Sequence, residues 1–406
     1  MTAGTVDRTL LADVRARVGA TGAEVDDAAV ADALRASGRV IGSQALTDLT
    51  RAARAELTGA GPLQALLDAP GVTDVLVNGP RDVWVDRGDG LHRADVDLGT
   101  PADVRALAVR MAAVSGQRLD DAAPTVDARM PDGTRLHAVV EPVAPEGAVV
   151  ALRVLRQTTL TLDALVDAGA VPRQWQPLLG ALVVGRANLL VSGGTGTGKT
   201  TLLAALLGLV PARERLLVVE EARELAPRHP HVVALAARRP NVEGVGEVTL
   251  TDLVRGALRM RPDRIVVGEC RGAEVRELLL AMNTGHDGGM ATVHANAAEH
   301  VPARLEALAA LAGMPREAVA AQAAAALDVV LHLRRRGGRR HLAQVGLVGR
   351  DAGGGLEVRR AASWDGYGDP VAGPAWDDLR RSVPDVAGPA WDDLRRSVPD
   401  VAGPAC

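Results

Sequence analysis

The residues with the clearest chemical potential form one glycine-rich run. The pattern G-x-x-x-x-G-K-[ST] is matched at every defined position by Gly193, Gly194, Thr195, Gly196, Thr197, Gly198, Lys199, Thr200 and Thr201. Glycines let the backbone N–H groups of such a loop turn inward around phosphate oxygens. The lysine ammonium can then reach the β- and γ-phosphates, and the hydroxyl of Thr200 is a ligand for Mg²⁺. The run predicts a site for ATP and Mg²⁺.

The lysine of this run has a second distinction. Lys199 is the only lysine among the 46 basic residues of the chain, and all the others are arginine. A compact ammonium on a flexible stem and a planar guanidinium are not interchangeable where one point charge must enter a small phosphate pocket. We therefore predict that Lys199 contacts the ATP phosphates.

A carboxylate stands at the end of an apolar stretch further along the chain. Residues 265–267 are apolar and lead through Gly268 into Glu269, close to Arg261 and Arg271. The carboxyl ends of parallel strands form the crevice in which α/β proteins bind ligands. A carboxylate there can hold Mg²⁺ through a water molecule or orient the attacking water. Glu269 is predicted to be catalytic, with Arg261 and Arg271 as candidates for contacting the γ-phosphate.

Three more glutamates follow another apolar stretch, residues 216–219. Glu220 and Glu221 come directly after it, and Glu224 lies slightly further on. The same argument about strand ends makes them candidates for metal or water binding, with Glu220 and Glu221 foremost. Their spacing leaves open whether each acts on the nucleotide or is a solvated loop acid.

Two histidines bracket a short predicted strand, residues 290–293. His286 precedes it in a glycine-containing turn, and His294 follows it. Near a P-loop they could sense the γ-phosphate, although a single histidine is more often structural. Spacing alone does not decide between these roles. A structural role is assigned to His229, His231, His300 and His332.

A parallel sheet is needed to bring these residues together. Residues 187–192 are predicted to form a buried strand, and residues 201–207 the helix that follows, whose amino end would face the phosphates. Residues 157–350 are predicted to form an α/β motor domain of the RecA-like P-loop type. Alternating apolar and polar residues in 56–156 predict a smaller α+β domain, and residues 1–55 predict a helical N-terminal extension.

The C-terminal residues, 351–406, contain a tandem repeat. Residues 371–385 recur without change as 386–400, and a third copy begins at Val401. Each unit contains glycine and proline, and its only apolar pair is Trp-x-x-Leu, so the composition predicts a disordered tail. A tryptophan-based docking motif is the alternative.

Composition weighs against several classes of protein. The net charge is -4 and the chain has no phenylalanine and one tyrosine, so neither a basic field nor a stacking platform for nucleic acid is expected. Cys270 and Cys406 cannot build a disulfide framework, and no signal peptide is evident. No apolar run is long enough to span a bilayer. We expect a cytoplasmic protein that contacts a membrane only through partners.

The blocks named above carry a family resemblance. Residues 193–201, 220–225, 250–272 and 283–296 resemble, in this order, the Walker A, Asp box, Walker B and His box of the secretion-ATPase superfamily. Among the branches of this superfamily, the sequence most resembles the CpaF type, which serves tight-adherence pili. The resemblance covers about residues 55–350. It implies ATP and Mg²⁺ as ligands, a homohexamer, and inner-membrane platform proteins as partners.

The resemblance also extends to the N-terminal domain, where it implies a PAS-like fold. Arginines from this part of the family's proteins lie over the nucleotide, which makes Arg129, Arg135 and Arg153 inherited candidates. One departure is Glu221, which stands where the family usually has aspartate. The charge is kept, while the side chain is longer by one methylene.

The leading hypothesis is an ATP-hydrolysing hexameric motor for pilus assembly or protein secretion at the inner face of the cytoplasmic membrane. A nucleic-acid translocase, or a conjugation-type ATPase for DNA transfer, is the alternative because RecA-like cores serve both classes. A nucleotide-dependent switch with negligible turnover is a third possibility.

Overall fold

The protein divides into two compact units that meet in sequence at Arg156 and Gln157. The computed structural model describes residues 27–36, 43–88, 90–154, 160–238, 240 and 245–382. None of the helices in these ranges is long and apolar enough to cross a membrane. The predicted extension, residues 1–55, is described only in part.

The first unit begins with a pair of helices. They are α1 (Asp27–Arg35) and α2 (Ser43–Leu57), and their apolar faces meet through Val30, Leu34 and Ala53. Burying these side chains removes apolar surface from water and holds the pair together. The structure thus contains helices where the N-terminal pattern predicted them.

A six-stranded antiparallel sheet forms the body of the first unit. Its strand order is β3-β2-β1-β6-β5-β4. The elements are α3 (Gln64–Asp68), β1 (Asp74–Gly79), β2 (Asp82–Asp86), β3 (Leu91–Ala94), α4 (Pro101–Val114), β4 (Thr125–Arg129), β5 (Arg135–Val139) and β6 (Val149–Arg153). Alternate residues of the strands are buried in one core with α4, as the period of two predicts. The predicted α+β architecture is confirmed.

The second unit is built on a nine-stranded sheet in the order β15-β14-β13-β12-β7-β11-β10-β8-β9. Its strands are β7 (Leu189–Gly193), β8 (Leu216–Glu220), β9 (Val232–Ala236), β10 (Arg264–Cys270), β11 (Met290–Val293), β12 (Val329–Arg336), β13 (Arg339–Arg350), β14 (Leu356–Ser363) and β15 (Val371–Ala372). The six strands from β12 to β9 are parallel, and the last three in sequence are antiparallel. This is the predicted RecA-like α/β core.

Helices cover both faces of this sheet. They are α5 (Leu162–Asp167), α6 (Gln176–Val184), α7 (Lys199–Leu207), α8 (Leu250–Ala257), α9 (Glu274–Met282), α10 (Val301–Leu311), α11 (Arg316–Ala326) and α12 (Trp376–Ser382). One core joins α5, α6 and α7 to the sheet, and a second joins α8 to α11 to it. Strands buried on both faces read as continuous apolar runs, which explains why residues 216–219 and 265–267 lack alternation.

The prediction of disorder from residue 351 onward is wrong for residues 351–382. Strand β14 extends the sheet beside β13, and the first copy of the repeat supplies β15 and α12. The Trp-x-x-Leu pair is buried, since Trp376 is 4% and Leu379 0% exposed. Two apolar side chains cannot form a core alone, but they complete one that the sheet already provides. Residues 383–406 lie outside the described residues.

Candidate nucleotide-binding and catalytic site

The glycine-rich loop joins β7 to α7. Gly196 and Gly198 have φ angles of 70° and 96°, in the left-handed region that favours glycine. Gly193 has no space for a side chain, because an added Cβ would stand 2.6 Å from Oγ1 of Thr197 and 2.7 Å from the carbonyl oxygen of Leu333. The loop is therefore a tight turn that leads directly into α7 and has no room for a side chain at Gly193.

Lys199 is the first residue of α7 and is only 7% exposed. Its Nζ donates to the carbonyl oxygens of Gly193 at 3.1 Å and Gly194 at 3.0 Å. Burial lowers the pKa of the ammonium, while the charge of Glu269 acts in the opposite direction. A desolvated cation is stabilised by an approaching anion, so the loop fits the phosphates of ATP.

The four blocks meet in one chain of polar contacts. Nζ of Lys199 lies 3.3 Å from Nδ1 of His294, and Nε2 of His294 lies 2.7 Å from Oε1 of Glu269. The other oxygen of Glu269 accepts from Arg271 at 2.7 Å, and Arg271 also donates to Glu221 at 3.0 Å. Lys199, His294, Glu269, Arg271 and Glu221 thus form one contiguous network at the carboxyl ends of β7, β11, β10 and β8.

The charge state of His294 follows from its neighbours. Burial and the Lys199 ammonium lower the pKa of His294, although Glu269 raises it. The imidazole is therefore mainly neutral at pH 7 and can both donate and accept a hydrogen bond. His294 therefore connects the carboxylate of Glu269 to the phosphate-binding Lys199, and its pKa depends on the charges of both.

The residues also fit a bound magnesium ion. In the described part of the chain, no group of three or more His, Cys, Asp or Glu side chains is placed to hold a metal by itself. The hydroxyl of Thr200 and, through water, Glu269 would hold Mg²⁺ together with phosphate oxygens. When bound, the ion would neutralise charge on the phosphates.

Glu220 has a different position from the one predicted for a catalytic acid. It is 4% exposed, and its Oε1 accepts from the backbone N–H groups of Glu224 at 3.0 Å and Leu225 at 2.9 Å. A Cβ on Gly268 would stand 2.7 Å from its Cγ. Glu220 therefore fixes the turn after β8, whereas Glu221 extends to Arg271.

Two predicted site residues lie at the opposite edge of the sheet. His286 and Arg261 precede the amino ends of β11 and β10, whereas the P-loop follows the carboxyl end of β7. A strand of four residues or more separates the two edges by roughly 13 Å or more. Within one chain, His294 and Arg271 lie at the nucleotide site. His286 and Arg261 do not, so the prediction that placed them there is corrected.

The three inherited arginines share one row of the first unit's sheet. Arg129 is the register partner of Arg135, and Arg135 is the register partner of Arg153. Arg135 pairs with Asp127 at 3.2 Å, and Arg153 pairs with Asp74 at 2.9 Å. Their contact with a nucleotide stays a prediction.

Sequence reasoning missed the residue that holds Arg271 in place. Oε1 of Glu274 accepts from the backbone N–H groups of Arg271 at 2.5 Å and Gly272 at 2.8 Å. Glu274 is 5% exposed and is the first residue of α9. The available signal was an acid that begins the run 274–282, because the amino end of a helix favours a carboxylate.

A buried polar pair lies beneath the P-loop. Oγ of Ser192, the residue before Gly193, is 2.9 Å from Nδ1 of His332 on the neighbouring strand β12. The two residues are 0% and 1% exposed. The structural role predicted for His332 agrees with this position, although no pattern in the sequence indicated its partner.

This pair makes stability depend on pH. Burial and Arg334 lower the pKa of His332 to about 4, against a model-peptide value of 6.5, while Glu299 raises it. The folded-state pKa is depressed, so this contribution to stability is complete above pH 6.5 and is lost as the pH falls towards 4. We expect His332 to account for a loss of about 2 kcal/mol between pH 7 and pH 5.

Urea unfolding of the wild type and of His332→Gln at both pH values measures this loss. Glutamine can keep the hydrogen bond to Ser192 but does not titrate, so the variant should lose about 2 kcal/mol less than the wild type over the same interval. Equal losses in the two proteins would show that His332 is not the titrating group.

Comparisons with known proteins agree with this geometry. Residues 56–344 match the family model described as "Type II/IV secretion system protein". The chain is 53% identical over 342 residues to the "Putative conjugal transfer protein Rv3659c" of Mycobacterium tuberculosis, covering 82% of this chain and 96% of that protein. It is 32% identical to the type IV secretion system protein PtlH of Bordetella pertussis, over 68% and 90% of the two chains.

A solved structure shares the architecture. The pilus retraction motor PilT with bound ADP matches with a TM-score of 0.50 and 18% identity, over 83% of this chain and 90% of that one. At this identity the match supports the fold alone. The family model covers well over half of the sequence, and its residues include every block of the polar network. The chain belongs to the type II/IV secretion system protein family and is an ATPase.

Proposed function

We propose that this chain is a Mg²⁺-dependent, homohexameric motor that uses ATP to drive pilus assembly or protein secretion at the inner face of the cytoplasmic membrane. Within the family, we assign it to the CpaF-like branch that serves tight-adherence pili. The observation that carries the proposal is the contiguous network from Lys199 to Glu221. A motor must convert ATP hydrolysis into movement, so the residues that bind the phosphates must be in contact with the elements that move.

The residues of the network divide the work. Lys199 and the backbone N–H groups of the P-loop bind the phosphate chain, and Thr200 is the ligand for Mg²⁺. Glu269 orients the attacking water, and His294 lies between Glu269 and Lys199, where loss of the γ-phosphate changes the local charge. Arg271 joins Glu269 to Glu221 on the neighbouring strand end. Hydrolysis would thus change contacts on β7, β8, β10 and β11 together.

The proposed oligomer and partners rest on the family. The relatives include a type IV secretion system protein, which supports a role in secretion. From the family resemblance we propose a homohexamer that acts on inner-membrane platform proteins. Arginines of the first unit, Arg129, Arg135 and Arg153, would complete the nucleotide site in such a ring. Membrane association would be peripheral and would depend on these partners.

A specific observation favours the second candidate, a conjugation-type ATPase. The relative in Mycobacterium tuberculosis and the TrbB protein of Rhizobium radiobacter are both described as conjugal transfer proteins. Against this, the net charge of -4 gives the whole chain no basic field for DNA. Direct action on DNA is therefore the weaker proposal.

One experiment separates the two candidates. Purified full-length protein is examined by light scattering with Mg²⁺ and ATP, and its phosphate release is measured with and without single- and double-stranded DNA. We expect a ring of six subunits and no stimulation by DNA. A protein that stays monomeric at high concentration contradicts the ring, while stimulation by DNA that falls steeply with salt supports the conjugation-type motor.

A further inference from the structure

The hairpin between β12 and β13 carries an unusual concentration of positive charge. Five of its seven residues, 334–340, are arginine, and all seven are exposed. The other two, Gly337 and Gly338, have φ angles of 57° and 81°, as a tight two-residue turn of this kind requires. Burial and Arg334 lower the pKa of His332, but no residue of this segment belongs to the polar network from Lys199 to Glu221.

The register of the hairpin places arginines opposite one another. Arg335 is the cross-strand partner of Arg340, and Arg336 is the partner of Arg339. Like charges directly opposite each other on a pair of strands are destabilising. Arg339 is engaged elsewhere, since it donates to the carbonyl oxygen of Gly169 and lies over the ring of Tyr367. The opposed charges would be relieved by an anion.

The sheet brings this hairpin to the P-loop. Strand β12 is the parallel neighbour of β7, and Leu333 is in register with Gly193, where the P-loop begins. The hairpin therefore extends beyond the carboxyl ends of the parallel strands, where the P-loop also lies. A Cβ built on Gly198 would lie 3.9 Å from Cδ of Arg340, so the stem of this arginine is a near neighbour of the loop.

Arg340 has no competing partner there. Among the residues that the structure describes, no carboxylate pairs with Arg340, and its side chain has no hydrogen bond. Its Cδ lies beside Gly198, the residue that caps the amino end of α7, so the guanidinium is within reach of a phosphate bound there. A planar guanidinium fork suits phosphate oxygens and can bind two of them at once.

We infer that Arg340 is a phosphate-binding residue of the nucleotide site, contributed by the same chain that supplies the P-loop. The inference rests on the ATP-dependent function proposed above and extends it. Lys199 contacts the phosphates from within the loop, and Arg340 contacts them from the solvent side. The ligand class is a polyphosphate, and the interaction does not depend on the base or the ribose.

Calorimetric titration of the full-length protein tests this inference. Two ligands are used with Mg²⁺: ATP, and inorganic tripolyphosphate, which lacks base and ribose. Arg340→Ala is expected to weaken the binding of both by about tenfold, the scale of one charge-assisted hydrogen bond that is partly exposed to water. Arg340→Lys should fall between this variant and the wild type, because it keeps the charge and loses the fork. The difference in affinity between the wild type and Arg340→Ala should become smaller at high salt, because salt screens the charge of the arginine.

The matched control is Arg336→Ala, which removes an exposed arginine from the same hairpin and should bind both ligands within about twofold of the wild type. Thermal unfolding without nucleotide should show no variant to be less stable than the wild type, since each alanine variant removes one of two opposed arginines. Equal losses in the two alanine variants, or no loss in Arg340→Ala, would overturn the inference and leave the hairpin as a docking surface for an acidic partner. A loss confined to ATP would overturn the assignment to phosphate. Failure of the wild type to bind ATP would instead refute the proposed function.

Discussion

Replacing Lys199 with alanine is expected to weaken ATP binding by at least about 100-fold, and turnover should be lost with it. Lys199 is only 7% exposed, and among the described residues the contacts of its ammonium are the loop carbonyls and His294. Its removal leaves the phosphate charge without its central cation. Titration with Mg²⁺ and ATP measures the loss of affinity directly.

A second substitution at the same position tests why the chain keeps one lysine. Lys199→Arg preserves the charge, but the planar guanidinium does not match the compact pocket between Gly193, Gly194 and His294. We expect this variant to bind ATP little better than Lys199→Ala. Near-normal binding would show that charge alone suffices and that the shape argument is wrong. Thermal unfolding without nucleotide serves as the control for folding.

Replacing Glu269 with glutamine is expected to leave ATP binding nearly unchanged and to lower the turnover number by about 100-fold or more. Glutamine has nearly the same shape but only one acceptor oxygen, so one of the contacts to His294 and Arg271 is weakened together with the loss of charge. A neutral amide cannot accept a proton from the attacking water. The change should therefore appear in kcat and not in the affinity for ATP.

The control for this variant is Glu277→Gln. Glu277 is also a largely buried glutamate paired with an arginine, Arg255, at 2.7 Å, but it belongs to none of the contacts of the network. It should retain turnover. If Glu269→Gln released phosphate at the wild-type rate, its assignment to the attacking water would be wrong. Equal losses in both variants would indicate a general effect of removing a buried charge.

Much of the site could be predicted because its chemistry is local in sequence. The Walker A glycines and Lys199 form a continuous run, and Glu269 directly follows the buried residues 264–268 of β10. The position of a strand end in a parallel sheet then follows from topology. The RecA-like class of the core was accessible for the same reason, since its strands read as apolar runs bounded by turns.

Other features depend on contacts between residues far apart in the chain. Glu220 and Glu221 are adjacent in sequence, yet one is buried against Gly268 and the other reaches Arg271, a difference set by the direction of each side chain. The error for His286 arose because residues at the two ends of one strand lie at opposite edges of the sheet. Trp376 and Leu379 were misjudged because the core they complete is formed mainly by other segments.

The most direct test of the central claim is steady-state phosphate release by the full-length protein with Mg²⁺ and ATP. The network of Lys199, His294 and Glu269 predicts saturable release that requires Mg²⁺ and is absent from Lys199→Ala and Glu269→Gln. Release by the wild type no greater than that of Lys199→Ala, although ATP is bound, would contradict the claim. The chain would then act as a nucleotide-dependent switch and not as a motor.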